Sequence, residues 1–366
     1  MVPWILLLAL VASIGFLSLF YLITRVRRFS FMRRLSEKHK ALSWFLAAVL
    51  VGLLFLFAFI NVYSVVIIII HLALIWLLCD LIAWIIRLIT KAKPKRYYAG
   101  IAAILLTVLY LGTGWIAAHQ VRQTDYTVST DKNIEPLRIA LIADSHLGVT
   151  LDGTRFEEEV ERIGAANPDL VVIVGDYVDD DSRKVDMLEA CRALGSLKTT
   201  YGSYYVFGNH DAGYYSRRDF TTAELRQALT ENGVIILEDE TVPLGENYVL
   251  AGRKDRSSHD RLSAEELLGD LSGRYVIVLD HQPNDYDSEA AAGADLVLSG
   301  HTHGGHMFPA GLIGLWMKAN DALYGLSQRD DTTFIITSGI SGWAIPFKTG
   351  AFSEYVIIDI VPSVLQ

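Results

Sequence analysis

The sequence predicts two parts of different class, an all-α membrane bundle followed by a layered α/β domain. Three observations carry this. Apolar runs of membrane-span length crowd the chain before His119. Charge divides sharply: thirteen Lys or Arg but only two acids, Glu37 and Asp80, lie at or before Arg122, a balance of +11 that leaves −20 for the rest of a chain with 32 bases and 41 acids. Beyond Pro136, short β-rich runs alternate with helix-like segments, and each run ends in Asp, Asn or His. The expected divisions are 1–119 as a four-helix anchor, 120–136 as a polar linker, and 137–366 as the α/β domain.

Pro3 to Thr24 is apolar and uncharged, long enough to cross a hydrocarbon core of about 30 Å, and no basic residue precedes it as in a cleaved signal peptide. Ala41 to Ile89 is about twice the length of one span and carries a polar notch at Asn61, Tyr63 and Ser64, which predicts two helices joined by a tight turn. Tyr97 to about Ala118 is the fourth span, with aromatic residues near both ends. Arg25, Arg27, Arg28, Arg33, Arg34, Lys38 and Lys40 lie between the first two helices, and Arg87, Lys91, Lys93, Lys95 and Arg96 between the last two. Positive loops stay in the cytoplasm, so the expected protein is a multi-pass membrane protein whose second half is extracytoplasmic. His71 and Asp80 are the ionisable residues well inside the apolar runs; nine positions apart, they face different sides of one helix, and packing rather than a proton relay is expected. The bundle reads as a tether.

An acidic second half repels a phosphate backbone, so polymeric nucleic acid is excluded as a partner. Two cysteines, Cys79 and Cys191, provide neither a disulfide framework nor a thiolate zinc site.

In the second half "LRIALIAD" ends at Asp144, "DLVVIVGD" at Asp176, "SYYVFGNHD" at His210 and Asp211, "RYVIVLDHQP" turns at His281, and "DLVLSGHTH" ends at His301 and His303. "RFEEEVERIGAANPD" and "TTAELRQALTENG" between them read as helices, which implies α/β layers with a site gathered at strand ends. Of seven histidines in this half, His146, His210, His281, His301 and His303 sit at such corners, with His306 three residues on. Packing does not account for this, because buried carboxylates and imidazoles are costly unless a cation compensates them.

"DSH" at 144–146, "GDYVD" at 175–179, "GNHD" at 208–211, a lone His281 and "GHTH" at 300–303 resemble, in order, the signature of the calcineurin-like metallophosphoesterases. The resemblance covers roughly Leu137 to Ile360 and is similar in detail to a membrane-associated bacterial group of the family. It implies a four-layer αββα sandwich. It further implies that Asp144, His146, Asp176 and His303 hold one metal ion and Asp176, Asn209, His281 and His301 the second. The two ions, divalent or mixed-valence Mn, Fe or Zn, suit a carboxylate bridge with imidazole ligands. Held about 3.5–4 Å apart, such ions acidify a bridging water into a hydroxide nucleophile and clamp phosphoryl oxygens. In the family the His of "GNHD" stabilises the transition state and protonates the leaving oxygen, oriented by the next Asp; here these are His210 and Asp211. Gly175, Gly208 and Gly300 are expected to admit tight backbone at the corners, and Asp179 to support a ligand or cap a helix rather than bind metal.

Two positions depart from the resemblance. His306 stands where relatives often have Gln, and either contacts substrate or supports the loop; Lys348, in "GWAIPFKTG", stands where relatives commonly have Arg and is a candidate phosphate contact. Arg253, Lys254, Arg256 and Arg261 form a basic group, a receiver for an anionic headgroup or a solvated loop. The apolar, glycine-rich "MFPAGLIGLWMKAND" reads either as loop packing or as a segment dipping into a bilayer. The expected partners are therefore the lipid bilayer and a phosphoester substrate, in the leading reading a phosphorylated lipid or lipid-linked intermediate. The alternatives are a soluble nucleotide or phosphosugar ester, and a non-catalytic membrane sensor.

Overall fold

Asn61 caps the start of a long apolar helix by accepting the Ser64 amide at 2.7 Å, which explains why a single polar notch divides one apolar stretch into two helices. The computed structural model describes residues 2–91, 96–214, 218–271 and 273–363, with side chains from Ser13 onward. The chain forms two compact units, Met1–Thr113 and Gly114–Gln366.

The first unit contains α1 (Val2–Val26), α2 (Ser30–Lys38), α3 (Lys40–Gly52) continued by 3-10 turns over Leu53–Phe59, α4 (Val62–Thr90) and most of α5 (Tyr98–His119). Among the described residues three segments are long and apolar enough to cross a membrane: Lys40–Phe59, Val62–Thr90 and Tyr98–His119. The expected first span, Pro3–Thr24, falls half on residues whose side chains lie outside the described part, and Lys93 and Lys95 lie outside the described residues altogether. The helix surfaces expose Leu46, Leu77, Ile85, Leu105 and Leu109, a coat that suits lipid rather than water. Asp80 meets Arg25 Nε at 3.1 Å and the Tyr97 hydroxyl at 2.6 Å, while His71 Nδ1 bonds the Ile67 carbonyl of its own helix at 2.8 Å. Both intramembrane groups are thus engaged within the unit, as packing requires.

In the second unit, β1 (Arg122–Thr130), β2 (Leu137–Ile142), β3 (Leu170–Val174), β4 (Ser203–Val206), β5 (Val234–Ile236) and, from the far end of the chain, β12 (Glu354–Pro362) make one sheet in the order β1-β12-β2-β3-β4-β5. A second sheet contains β6 (Glu240–Leu244), β7 (Tyr248–Gly252), β8 (Tyr275–Leu279), β9 (Leu296–Ser299), β10 (Gly325–Arg329) and β11 (Thr332–Ile336), in the order β10-β11-β9-β8-β7-β6. Side chains alternate across each strand. Leu137, Ile139 and Leu141 of β2 face an inter-sheet core with Leu250, Ile277 and Leu298, whereas Ala140 and Ile142 face Phe156, Val160 and Ile163 of α6 (Gly153–Ala165) and Met187 and Leu194 of α7 (Lys184–Ser196). Leu225 and Leu229 of α8 (Thr222–Glu231) join that outer cluster. On the other side, Val276, Val278 and Val297 pack under Leu268 of α9 (Ala264–Leu268) and Tyr286 of α10 (Tyr286–Ala291). The result is the expected αββα sandwich, and each fully buried Leu, Ile or Val contributes about 1.5–3 kcal/mol to it.

The strands β2, β3 and β4 run parallel, as do β7, β8, β9 and β11, so their carboxyl ends lie along one edge of each sheet. The stretch expected as a linker behaves differently: Arg122–Thr130 pairs in register with Glu354–Pro362, beginning Arg122↔Glu354. It is an edge strand, exposed along one face, and its polar alternation conceals it in the sequence. Part of the apolar 307–321 segment is also helical, as α11 (Ala310–Trp316).

Candidate dimetal site

The site gathers where strands end in backbone that ordinary residues avoid. Asp144, His146, Asp176, His301 and His303 have φ of 54, 35, 52, 70 and 49°. Left-handed backbone at a non-glycine residue costs on the order of 1–3 kcal/mol and persists only where surroundings enforce it. Here the enforcement is visible: the Asp144 amide donates to Gly175 O at 3.0 Å, the His146 amide to Asp176 O at 3.1 Å, and the His301 amide to the Asp144 carboxylate at 3.0 Å. Gly175 is required twice over, by φ 74° and because a Cβ would stand 2.6 Å from His281 Nδ1. A Cβ on Gly300 would meet Asp144 Oδ2 at 2.6 Å, and one on Gly208 would collide with Asp176 Oδ1.

These turns bring together two ligand clusters, Asp144 with His146 and His303, and Asp176 with His281 and His301; within each, donor atoms lie within 4.8 Å of one another. The first sheet supplies Asp144, His146 and Asp176, the second supplies the other three histidines. His281 Nδ1 bonds Val174 O at 2.8 Å and His303 Nδ1 approaches Ser341 O at 3.3 Å. Carbonyls only accept, so both rings carry hydrogen on Nδ1 and present the Nε2 lone pair inward. His146 Nδ1 lies 3.4 Å from Asp179 Oδ2, which orients that ring the same way.

The residues fit metal ions on their own geometry. His146 Nε2 and His303 Nε2 face each other at 3.2 Å, and His281 Nε2 is a buried nitrogen without a hydrogen-bond partner although Asp176 Oδ2 is 3.1 Å away. Nitrogen and oxygen lone pairs aimed at a shared point rather than at one another are what a cation satisfies. Burial raises the Asp144 carboxyl to about 6 against the opposing pull of His281. Burial, followed by His281, lowers His301 to about 4, and burial followed by His146 lowers His303 strongly, so both are neutral donors near neutral pH.

Asn209 Nδ2 donates to the Tyr214 hydroxyl at 2.9 Å, and its Oδ1 is 3.5 Å from Gln282 Nε2. The His210 amide donates to Asp176 Oδ1 at 2.8 Å, and its ring stands 5.1 Å from the ring of His146 and 5.2 Å from that of Trp343. Asp211 follows His210 directly. It is fully buried and accepts four backbone amides, Gly208 at 2.7, Tyr177 at 2.8, Asp176 at 2.9 and Val178 at 3.1 Å, so it braces two ligand loops through their backbone. Asp179 lies beside His146 and accepts the Asp181 amide.

The candidate substrate contacts have the following surroundings. Lys348 is fully buried, and its Nζ donates to Ser338 O at 2.7 Å and Gly339 O at 3.1 Å; burial pushes it down to about 7. These bonds tie the loop that holds Ser338 and Gly339. His306 Nε2 bonds Ile345 O at 3.0 Å while its carbonyl accepts the Thr349 and Gly350 amides, which makes it a loop support. Arg253 is enclosed by Asp280, Asp285 and Glu289, Arg261 pairs with Asp280, and Lys254 with Asp260, so three of the four basic residues already have carboxylate partners. Sequence reasoning missed Gln282, which donates to Asp255 at 2.9 Å and sits beside Asn209, and the rings of Tyr214 and Trp343 that flank His210. Only the adjacency of Gln282 to His281 pointed there.

The fold and this ligand set define a metal-dependent phosphoesterase. Residues 137–305 match the calcineurin-like phosphoesterase family. An uncharacterized metallophosphoesterase of Helicobacter pylori (strain J99 / ATCC 700824) is 31% identical over 286 residues, covering 75% of this chain and 73% of that protein, and one of Aquifex aeolicus is 31% identical over 268 residues, covering 70% and 98%. A Danio rerio "Transmembrane protein with metallophosphoesterase domain" is 29% identical over 274 residues, covering 69% and 61%. The chain belongs to the calcineurin-like phosphoesterase family and is a phosphoric ester hydrolase with two metal-ligand clusters.

Proposed function

We propose that the protein is a membrane-tethered, two-metal phosphoesterase that cleaves a phosphate ester carried by a lipid or lipid-linked intermediate, with its catalytic unit on the extracytoplasmic side. The observation that carries the catalytic reading is the convergence of Asp144, His146 and His303 beside Asp176, His281 and His301, all with donor atoms turned inward. Asp176 would be shared between the two clusters, and Asn209 Oδ1 would complete the second. Bound there, Mn, Fe or Zn ions supply Lewis-acid activation of water and neutralise charge on the phosphoryl oxygens.

The chain's own groups do the rest. His210, its backbone anchored to Asp176 and its ring near those of Trp343 and Tyr214, would give a proton to the leaving oxygen. Tyr214 takes the Asn209 amide nitrogen and so fixes which way its oxygen points; Gln282 Nε2 lies 3.5 Å from that oxygen, whose second lone pair would serve an ion. The lipid reading is supported by the apolar helices, which keep the hydrolase at a bilayer, and the sidedness by the basic loops, including Arg25, Arg27 and Arg28, that belong in the cytoplasm.

The test is purified full-length protein with Mn²⁺, Fe²⁺ or Zn²⁺ and a chromogenic phosphodiester and monoester. Hydrolysis of either supports the enzyme, and inactivity with all three ions points to a binding-only membrane sensor. Comparing a lipid phosphoester with a nucleotide or phosphosugar ester then separates the substrate classes. A reporter fused after Gln366 that works only in the cytoplasm would overturn the sidedness.

A further inference from the structure

The catalytic unit carries an apolar element that its own core does not cover. Phe308, Leu312, Ile313, Leu315, Trp316 and Met317 are exposed, Trp316 at 83% and Met317 at 69%. A soluble surface tolerates scattered apolar side chains, not six within ten residues. This element is fastened to the metal site: α11 begins four residues after His306, a Cβ on Gly305 would stand 3.2 Å from Gly311 Cα, and the His306 carbonyl accepts the Thr349 amide at 2.9 Å.

The same residues, 347–349, receive the end of α5. The Lys348 amide donates to Gly114 O at 2.9 Å, a Cβ on Gly114 would meet Thr349 Cγ2 at 2.7 Å, and the Trp115 and Phe347 rings pack at 5.5 Å. Thr349 Oγ1 in turn accepts the Phe308 amide at 3.0 Å. One short segment therefore joins the C-terminal part of a membrane-length helix, the uncovered apolar element and the loop after His303. A helix that crosses a bilayer brings its end to the bilayer surface, so the element lies within a few residues' reach of that surface.

We propose that Phe308–Met317 seats in the headgroup region of the bilayer from which α5 emerges, with Leu312, Ile313, Trp316 and Met317 entering the acyl boundary and Lys318, exposed beside them, reaching lipid phosphates. Tryptophan at the interface and a flanking lysine are the side chains such an element uses. Seated this way, α11 delivers a phosphoester carried at the headgroup level to the metal turn, which specifies how the lipid substrate proposed above reaches the site and rests on that reading.

The experiment uses full-length protein in lipid nanodiscs, with a nitroxide on Leu312→Cys, the unsubstituted chain as a blank because Cys79 and Cys191 are buried, and Asp260→Cys, 77% exposed, as a water-facing control. Collision with lipid-soluble oxygen should exceed collision with a water-soluble nickel chelate at 312, the reverse of the order at 260. Equal access of the chelate to both sites overturns the proposal, and so does protection of 312 from both reagents, which means that protein covers it. Leu312→Glu with Trp316→Glu should slow hydrolysis of a vesicle-borne ester and leave a soluble ester unaffected. A seated element without hydrolysis of lipid leaves this inference standing and removes the lipid substrate instead.

Discussion

The carboxylate of Asp211 accepts the backbone amide of Asp176 at 2.9 Å, so the residue that follows His210 clamps the loop of a ligand-cluster carboxylate. Three further amides, from Gly208, Tyr177 and Val178, end on the same side chain. Asp211→Ala leaves four buried donors unpaired at about 1–3 kcal/mol each before relaxation. The expected outcome is a lower unfolding midpoint together with loss of metal, read by calorimetry and elemental analysis. Unchanged stability and metal content with slow turnover would return Asp211 to a direct role.

His210 should behave in the opposite way. Its side chain lies outside both ligand clusters, so His210→Asn should keep about two metal ions per chain while turnover falls by roughly 10²–10⁴, the usual worth of general acid catalysis. Metal loss in step with activity would remove the proton-donor role.

Lys348→Met deletes two charge-assisted bonds to Ser338 and Gly339, and a Cβ on Gly339 would stand 2.6 Å from that of Asp144, so this loop is wedged against a ligand. We expect destabilisation of about 2 kcal/mol, since Met also relieves the burial of a charge. KM for a soluble ester in the metal-loaded fraction should not change. A raised KM at an unchanged midpoint would restore Lys348 as a phosphate contact.

Acid stability offers a measurement away from the metals. Lys184, then the Thr221 cap, hold Glu224 at about 2 against an ordinary value of 4.5. A depressed carboxylate stabilises the fold above its unfolded value and loses that contribution as pH falls through the folded one. Glu224→Gln should therefore flatten the fall in midpoint between about pH 4.5 and 2 relative to the parent chain. Parallel curves across that window would show the cap to be energetically silent.

Much of this was legible because parallel strands buried on both faces are written as unbroken runs such as "LVVIV", and whatever polar residue ends such a run must sit at the sheet edge. The metal-competent residues at those ends were legible for that reason, and the resemblance assigned them to ligand sets. What stayed hidden depends on partners distant in sequence. Lys348 and Arg253 read as surface cations until the carbonyls of Ser338 and Gly339, or Asp280 and Glu289, are folded around them. The edge strand β1 hid behind polar alternation, and α11 behind glycines that weaken any helical pattern.

Because each sheet contributes ligands, the centre acts as a clasp across the inter-sheet core: His146 and His303, 3.2 Å apart in space, are 157 positions apart in the chain. A half-assembled chain has no such centre to fill. Retention of metal thus becomes a gauge of whether the two sheets have docked in register, and ions that bind only the docked form tighten it further by mass action. Substitutions in the shared core, at Leu141 or Leu298, should then surface first as weakened metal retention, although neither side chain is itself a ligand.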